Sequence, residues 1–381
     1  MKVKKAVGWL HLWLGLASGV IVVVLGVTGC LYAFEKELKG IFHSDRLYVD
    51  PQPGHPWPLT RLMDIAQKTL GEDKPITRIE IPQAPGRTYI FRATRTNPDN
   101  IFYWNYYTYY NKVYINPYDG TVVATENTKA DFFQLVFSLH TQLWLGDTVG
   151  HAITGYAALL FVILLVTGMI LWWPKKWKSP KLKQYFTIKW HGKLKRVNYD
   201  LHRTLGLYAF VLLLIVAITG LVWSFEWMDK SVQFVANGGA SPRKETFPGS
   251  DTTRAQQPLV IDKIWMDARG VSPRAVSFLV VLPAARTGTV NVFAYETVNN
   301  HYERIKSSYD RYTGERVQSG SFDDLDRAAR VKLLNYDLHT GTVLNLPGKM
   351  LAFCASLVAA SLPITGFIIW WRRGKSQKQA R

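Results

Sequence analysis

The chain has 381 residues, 48% hydrophobic and 13% aromatic, with a formal net charge of +18. That apolar content is rich for a soluble protein. Two cysteines, Cys30 and Cys354, say little, but the absence of a CxxCH sequence excludes covalent c-type haem.

Four stretches account for the hydrophobicity. Leu12–Phe34, Ala152–Trp173, Thr204–Phe225 and Met350–Trp371 each run 22 or 23 residues without a charged side chain. At about 1.5 Å per residue each run spans a bilayer core of roughly 30 Å. The basic charge has an equally simple location. Residues 1–10, 174–203 and 372–381 hold 18 of the 46 Lys and Arg residues and one acid, Asp200, while the rest of the chain is nearly neutral. Four spans place those three segments on one side, which is the positive-inside pattern, with both termini cytoplasmic. The charge therefore reads as topology, with a lipid bilayer as partner and no nucleic acid.

In chain order, residues 1–35 form the first transmembrane helix. Val27-Thr28-Gly29-Cys30 within it resembles a lipoprotein cleavage box, but the apolar run exceeds a typical signal core, so retention is expected. Residues 36–148 form a first outer domain, with a helical pattern over Leu59–Leu70, alternating strands at Ile76–Pro82 and Thr88–Arg95, and a hairpin turn at Asn116–Gly120. The aromatic run Phe102–Tyr110 reads as strand packing, with a substrate surface as the alternative. Residues 149–174 form the second span, 175–201 a basic cytoplasmic loop, and 202–227 the third span. Residues 228–346 form a second outer domain, with a helix over Leu259–Ala268 and strands at Ala275–Leu282 and Thr289–Glu296. Residues 347–381 form the fourth span and a tail.

The chain is internally duplicated. His11, Leu14-Gly15, Thr28-Gly29 and Phe34-Glu35 match His202, Leu205-Gly206, Thr219-Gly220 and Phe225-Glu226 at an offset of 191. Leu139-His140-Thr141, Thr167-Gly168 and Trp172-Trp173 match Leu338-His339-Thr340, Thr365-Gly366 and Trp370-Trp371. Two copies in the same orientation imply a pseudo-two-fold axis along the membrane normal. The expected fold is a four-helix membrane protein carrying two small α+β domains.

Such an axis brings His11 to face His202 at one mouth of the bundle, and His140 to face His339 at the other. Two opposed imidazoles are what a bis-histidine haem iron needs, and a four-helix bundle can hold a porphyrin. The span glycines can make room for a flat ring. His151 matches Lys349, which argues against its being half of a pair and leaves a substitute ligand or propionate partner as the alternative role. His43, His55 and His301 are expected to be solvated, His191 to be solvated or to face lipid headgroups, and Glu35 and Glu226 to cap or face solvent. No Walker, dinucleotide, CxxC or HExxH motif occurs. The inner loop is too short for a flavin or NAD domain, so electrons come from elsewhere. The pentapeptide NYDLH, at Asn198–His202 and Asn335–His339, joins positions that are not repeat-equivalent, and apart from its histidines it reads as partly chance.

HLWLGL…TG at His11–Gly29, LHTQLWLG…TGMILWW at Leu139–Trp173, DLHRTLGL…TG at Asp200–Gly220 and DLHTGTVLNLPG…TGFIIWW at Asp337–Trp371 together resemble the PepSY-associated transmembrane helix proteins of bacterial inner membranes. The outer segments resemble PepSY domains, and the layout is similar to the ferrisiderophore reductases of the FoxB type. The resemblance implies an inner-membrane enzyme with two b-type haems on His11, His202, His140 and His339. Its substrate would be a periplasmic ferric siderophore, with the hydroxamate type among the candidates. Electrons would come from a cytoplasmic donor or a quinol. A metal or siderophore permease, and a non-catalytic sensory or chaperone-like module, are the alternatives.

Overall fold

A computed structural model describes residues 2–178, 180, 182–241, 249–254 and 259–378. The chain divides into two compact units. One comprises residues 1–34, 136–230 and 335–381; the other comprises residues 35–135 and 231–334.

The first unit contains the four long apolar helices: α1 (Lys2–Ala33), α4 (Asp147–Trp172), α5 (Leu194–Ser224) and α8 (Asn345–Lys378). Two shorter helices, α3 (Phe132–Gln142) and α7 (Arg327–Thr340), lead into α4 and α8. The principal contacts form a ring, with α1 and α5 each touching both α4 and α8. Duplicated helices therefore stand on diagonals, as a two-fold axis through the bundle demands. Small residues set the closest seam. Ser18, Gly19, Val22 and Gly26 are the buried stripe of α1, and a Cβ at Gly26 would meet Ala360 N at 2.7 Å and Ser356 O at 2.8 Å. Val20, Val211, Ile215, Leu357 and Phe367 point outward and are exposed, as suits helices whose outer surface is lipid. Mid-bundle, Leu165, Ala209, Leu213, Ala355 and Ala359 form a packed apolar core. This is a multi-pass helical membrane protein.

Two boundaries differ from the sequence reading. The third long helix begins at Leu194, because Leu194–Leu201 continues the helical register through the supposed loop. The stretches 136–148 and 335–346, assigned to the outer domains from sequence, belong to the helical unit and carry His140 and His339 with them.

The second unit corrects the expectation of two separate outer domains. Both segments share one antiparallel sheet in the order β4-β3-β2-β1-β5-β6-β7-β8. The strands are β1 (Arg78–Pro82), β2 (Tyr89–Thr96), β3 (Tyr107–Ile115), β4 (Val122–Asn127), β5 (Ser277–Val281), β6 (Val290–Tyr295), β7 (Arg304–Tyr309) and β8 (Arg316–Gly320). Each repeat makes four strands, and the repeats join where β1 pairs with its own duplicate β5, from Arg78↔Val281 to Pro82↔Ser277. An isolated four-stranded half would leave that edge unpaired, and pairing the duplicates satisfies it. Helices α2 (Leu59–Leu70) and α6 (Ile261–Val271) cover one face. Their buried residues, Leu59, Leu62, Ala66 and Leu70 on α2 and Ile261, Ile264 and Ala268 on α6, follow the same helical spacing. The turn ahead of β4 ends at Gly120 with φ +75°, and its duplicate ahead of β8 ends at Gly314 with φ +67°, a backbone state that favours glycine. Within the aromatic run, Tyr103 is 1% exposed, its hydroxyl donates to Lys129 O, and its ring contacts Trp104 and Tyr107. It packs from a single helical turn, Tyr103–Tyr106, where the sequence suggests a strand; only Tyr107–Tyr110 of the run is strand, and Phe102 and Trp104 are exposed.

Candidate functional site, two opposed histidine pairs

The structure brings the four histidines together as two pairs. His11 faces His202 with ring centres 6.3 Å apart, and His140 faces His339 at 6.2 Å. All four are half-buried. The helices set the spacing between the pairs: Thr28, beside His140, is 17 residues beyond His11, and Thr219, beside His339, is 17 beyond His202. That is about 25 Å along a helix axis.

Each ring is held by the same device. His11 Nδ1 lies 2.8 Å from Thr167 Oγ1, and His140 Nδ1 lies 2.9 Å from Thr28 Oγ1. His202 Nδ1 lies 2.9 Å from Thr365 Oγ1, and His339 Nδ1 lies 2.9 Å from Thr219 Oγ1. Each threonine spends its hydroxyl proton on its own helix, donating to the carbonyl four residues back: Ile163, Val24, Ser361 and Ile215 respectively. The threonine oxygen is thereby left to accept, so Nδ1 must carry the imidazole proton. Leu362 O at 3.1 Å from His202 Nδ1 and Val216 O at 3.0 Å from His339 Nδ1 agree, because a carbonyl only accepts. All four rings are fixed as the tautomer with a bare Nε2 lone pair, the form that binds a metal.

The glycine after each threonine has its own task. A Cβ at Gly168 or Gly366 would lie 3.3 Å from Cε1 of His11 or His202, and one at Gly29 or Gly220 would lie 3.5 Å from Cε1 of His140 or His339. A side chain at Gly168 or Gly366 would crowd the ring that the threonine holds, while a Cβ at Gly29 or Gly220 would only touch it. The recurrent Thr-Gly is one seat built four times.

The pentapeptide is not chance beyond its histidine, contrary to the reading from sequence. Asn198 Nδ2 donates to Thr365 O, and Asn335 Nδ2 donates to Thr219 O, each at 3.0 Å. Asparagine and histidine stand four apart on one helix face, so they grip the backbone and side chain of the same threonine. The aspartate anchors the surroundings. Asp200 is fully buried and bonds Arg196 and Arg203, and Asp337, also fully buried, accepts from Thr342 Oγ1 at 2.6 Å. The sequence reading noted the Thr-Gly pairs only as marks of duplication and missed the threonines and asparagines as ring holders. The available signal was that Thr-Gly recurs in four spans, as often as the histidines.

His151 joins neither pair. Its Nε2 lies 3.3 Å from Trp223 O and its Nδ1 3.6 Å from Asp147 Oδ1. Trp223 itself stands against His339, ring centres 5.1 Å apart. Two histidines expected in solvent are not there. His43 is 14% exposed beside Asp131 and Phe133, and burial, then Lys36 and Arg304, push the His301 pKa down to about 3. His55 and His191 are exposed. Glu35 and Glu226 pair with Lys39 and Lys230 one helical turn on.

A family model described as the PepSY-associated TM region matches residues 8–373. The chain belongs to that family. No curated protein matches it. The match takes in all four histidines of this PepSY-associated membrane protein and reaches into both units.

The donor set has a definite capacity. A metal held end-on by two imidazoles needs about 2 Å to each nitrogen and about 1 Å more to each ring centre, hence about 6 Å between centres. Both pairs meet that spacing. Neutral imidazoles suit iron, copper or zinc, and a pair of opposed imidazole nitrogens is a donor set that a haem iron would accept.

Proposed function

We propose that this protein is a transmembrane oxidoreductase of the bacterial inner membrane. In this reading it holds two b-type haems, termini on the cytoplasmic side, and reduces a ferric siderophore at the periplasmic face, releasing Fe(II). The observation that carries the proposal is the pair of facing, tautomer-fixed imidazole sets at 6.3 and 6.2 Å, about 25 Å apart along the bundle. His11 and His202 would hold one haem, and His140 and His339 the other. Haem supplies reversible one-electron chemistry when bound.

The residues of the chain do the rest. Thr28, Thr167, Thr219 and Thr365 hold each imidazole in register and keep its proton on Nδ1. The threonine contact also raises the basicity of the opposite nitrogen, which favours the oxidised metal. Leu165, Leu213, Ala355 and Ala359 exclude water from the bundle between the pairs. A ferric siderophore is the fitting acceptor because such chelators hold Fe(III) far more tightly than Fe(II), so a single electron frees the metal. The chain has no nicotinamide or flavin motif, and a quinol or a cytoplasmic protein would be the donor.

Protein purified from a haem-competent host is expected to be red, with a Soret band and an α band that sharpens on dithionite. His11→Ala and His202→Ala should each remove one haem, and His140→Ala and His339→Ala the other. A colourless, folded preparation refutes the reading and favours a permease or a non-catalytic module.

A further inference from the structure

The loop between the second and third spans is folded as well as charged. Residues 182–193 lie against the ends of α4 and α5, and side chains of both helices hold them. Trp172 Nε1 donates to Tyr185 O at 3.2 Å, Tyr208 Oη donates to Phe186 O at 3.1 Å, and Arg203 donates to Gln184 O. From the first span, Lys4 Nζ donates to Trp173 O at 2.8 Å. All these residues belong to the helical unit.

That fold separates the loop's charges. Asp200 is the only acid among residues 174–203. It is fully buried, and its oxygens accept from Arg196 at 2.8 Å, Arg203 at 2.9 Å and the Lys189 amide at 3.3 Å. Lys175, Lys176, Lys178, Lys183, Lys193 and Lys195 are left exposed. The other acids of the helical unit, Asp147, Glu226, Asp229 and Asp337, stand at the opposite ends of the spans. Positive-inside placement asks only that the lysines lie on this side. It does not ask that they be set in a folded layer, apart from their one acid.

An aromatic path leads inward from this layer. Trp177 stands between Lys176 and Lys178 and is 46% exposed. Its ring centre is 6.2 Å from that of Trp172 and 5.2 Å from that of Trp173. Trp172 is buried, one helical turn beyond Gly168, whose Cβ position is 3.3 Å from the His11 ring. The cationic surface is therefore joined to the seat of His11. An exposed aromatic rimmed with like charges suits a protein contact, in which aromatics anchor and charges steer.

We propose that the loop, residues 174–178 and 182–195, is the docking face for the electron donor, and that the donor is a small acidic protein with a one-electron centre. This rests on the reductase reading for the need of an electron, and on the exposed lysines for the sign of the partner. The chain has no nicotinamide or flavin motif, so another molecule must bring each electron to the His11–His202 pair. A quinol is neutral and would use none of these lysines. In each encounter the carrier is oxidised by one electron and the iron at that pair is reduced by one, with no bond made or broken. Complementary charge speeds the encounter and orients the carrier, and salt weakens it.

The test uses the full-length protein in detergent, with binding followed by calorimetry on haem-free and haem-loaded samples. The probe is a plant-type [2Fe–2S] ferredoxin, which is acidic, and basic cytochrome c is the control protein. The ferredoxin should bind both samples, with affinity falling at least about tenfold between about 50 and about 300 mM salt, and cytochrome c should not bind. Lys175→Gln, Lys176→Gln and Lys178→Gln combined should weaken the ferredoxin about tenfold, and Trp177→Ala about fivefold. Lys2→Gln with Lys5→Gln, exposed on α1, should change its affinity less than about twofold, and thermal scans should show every variant folded. No ferredoxin binding at low salt, or equal weakening by the loop and α1 variants, overturns the inference. So does a loop variant that keeps the ferredoxin and loses only its binding of detergent-dispersed phosphatidylglycerol, since the loop is then a lipid-headgroup face. Haem reduction by dithionite, and Fe(II) release from a ferric chelate by the reduced protein, are read separately. Ferredoxin binding without either supports the acidic docking face and refutes the reductase. Both without ferredoxin binding refute the docking face and leave the reductase standing.

Discussion

Thr28→Val removes one hydrogen-bond acceptor from one histidine and changes almost nothing else. The side chains are nearly equal in volume, and the Thr28 hydroxyl otherwise only back-bonds to Val24 and Leu25 of its own helix. What is lost is the 2.9 Å contact to His140 Nδ1. A buried N–H deprived of its partner costs about 1–3 kcal/mol, and loss of the partner behind a metal-bound histidine typically weakens the metal about 10–100-fold, about 1.4–2.8 kcal/mol. Thr219→Val should be milder, because His339 Nδ1 keeps Val216 O at 3.0 Å. The assay is haem retention per site, with haemochrome content and haemin titration of the apoprotein. The His11–His202 site in the same molecule serves as the internal control. Thr28→Val should lose the His140–His339 haem selectively, Thr219→Val should lose less of it, and Thr28→Ser should retain it. Wild-type affinity in Thr28→Val, or equal loss from both sites, refutes the argument that threonine fixes the tautomer.

Other outcomes follow from the same geometry. Asn335→Ala removes a 3.0 Å bond to the Thr219 carbonyl; it should weaken haem retention at the His140–His339 site several-fold, about 1 kcal/mol, and leave the other site alone. Gly26→Leu places a side chain against backbone atoms of α8 at under 3 Å, so the bundle should lose at least about 1–3 kcal/mol, read as a lowered melting temperature. His301 is held neutral, with its pKa lowered to about 3, whereas the unfolded side chain titrates near 6.5. The unfolded state therefore binds the extra proton, and stability should be flat above pH 6.5 and fall below it, by at most about 1.4 kcal/mol per pH unit. His301→Gln should flatten that part of the profile measured by thermal unfolding.

Much of this protein is legible from local pattern alone. Uninterrupted apolar runs of 22 or 23 residues have no other home than a membrane, and alternation or helical spacing marks Leu59–Leu70, Ile261–Val271 and the central strands. Duplication, read as offsets between matching residues, predicts that His11 meets His202 and that His140 meets His339, because a symmetry axis is a long-range constraint written into one dimension. Tertiary structure alone decided three further matters. Whether the outer segments form two sheets or one depends on whether edge strand β1 finds its duplicate β5, and strand patterns carry no record of their neighbours. Which nitrogen of each histidine stays free depends on a threonine more than 100 residues away, since a tautomer is set by the partner and not by the ring. And the sense of NYDLH, which in the sequence rests on its histidine, came from a second helix: only when Thr365 and Thr219 stand opposite do asparagine and histidine become two arms of one grip.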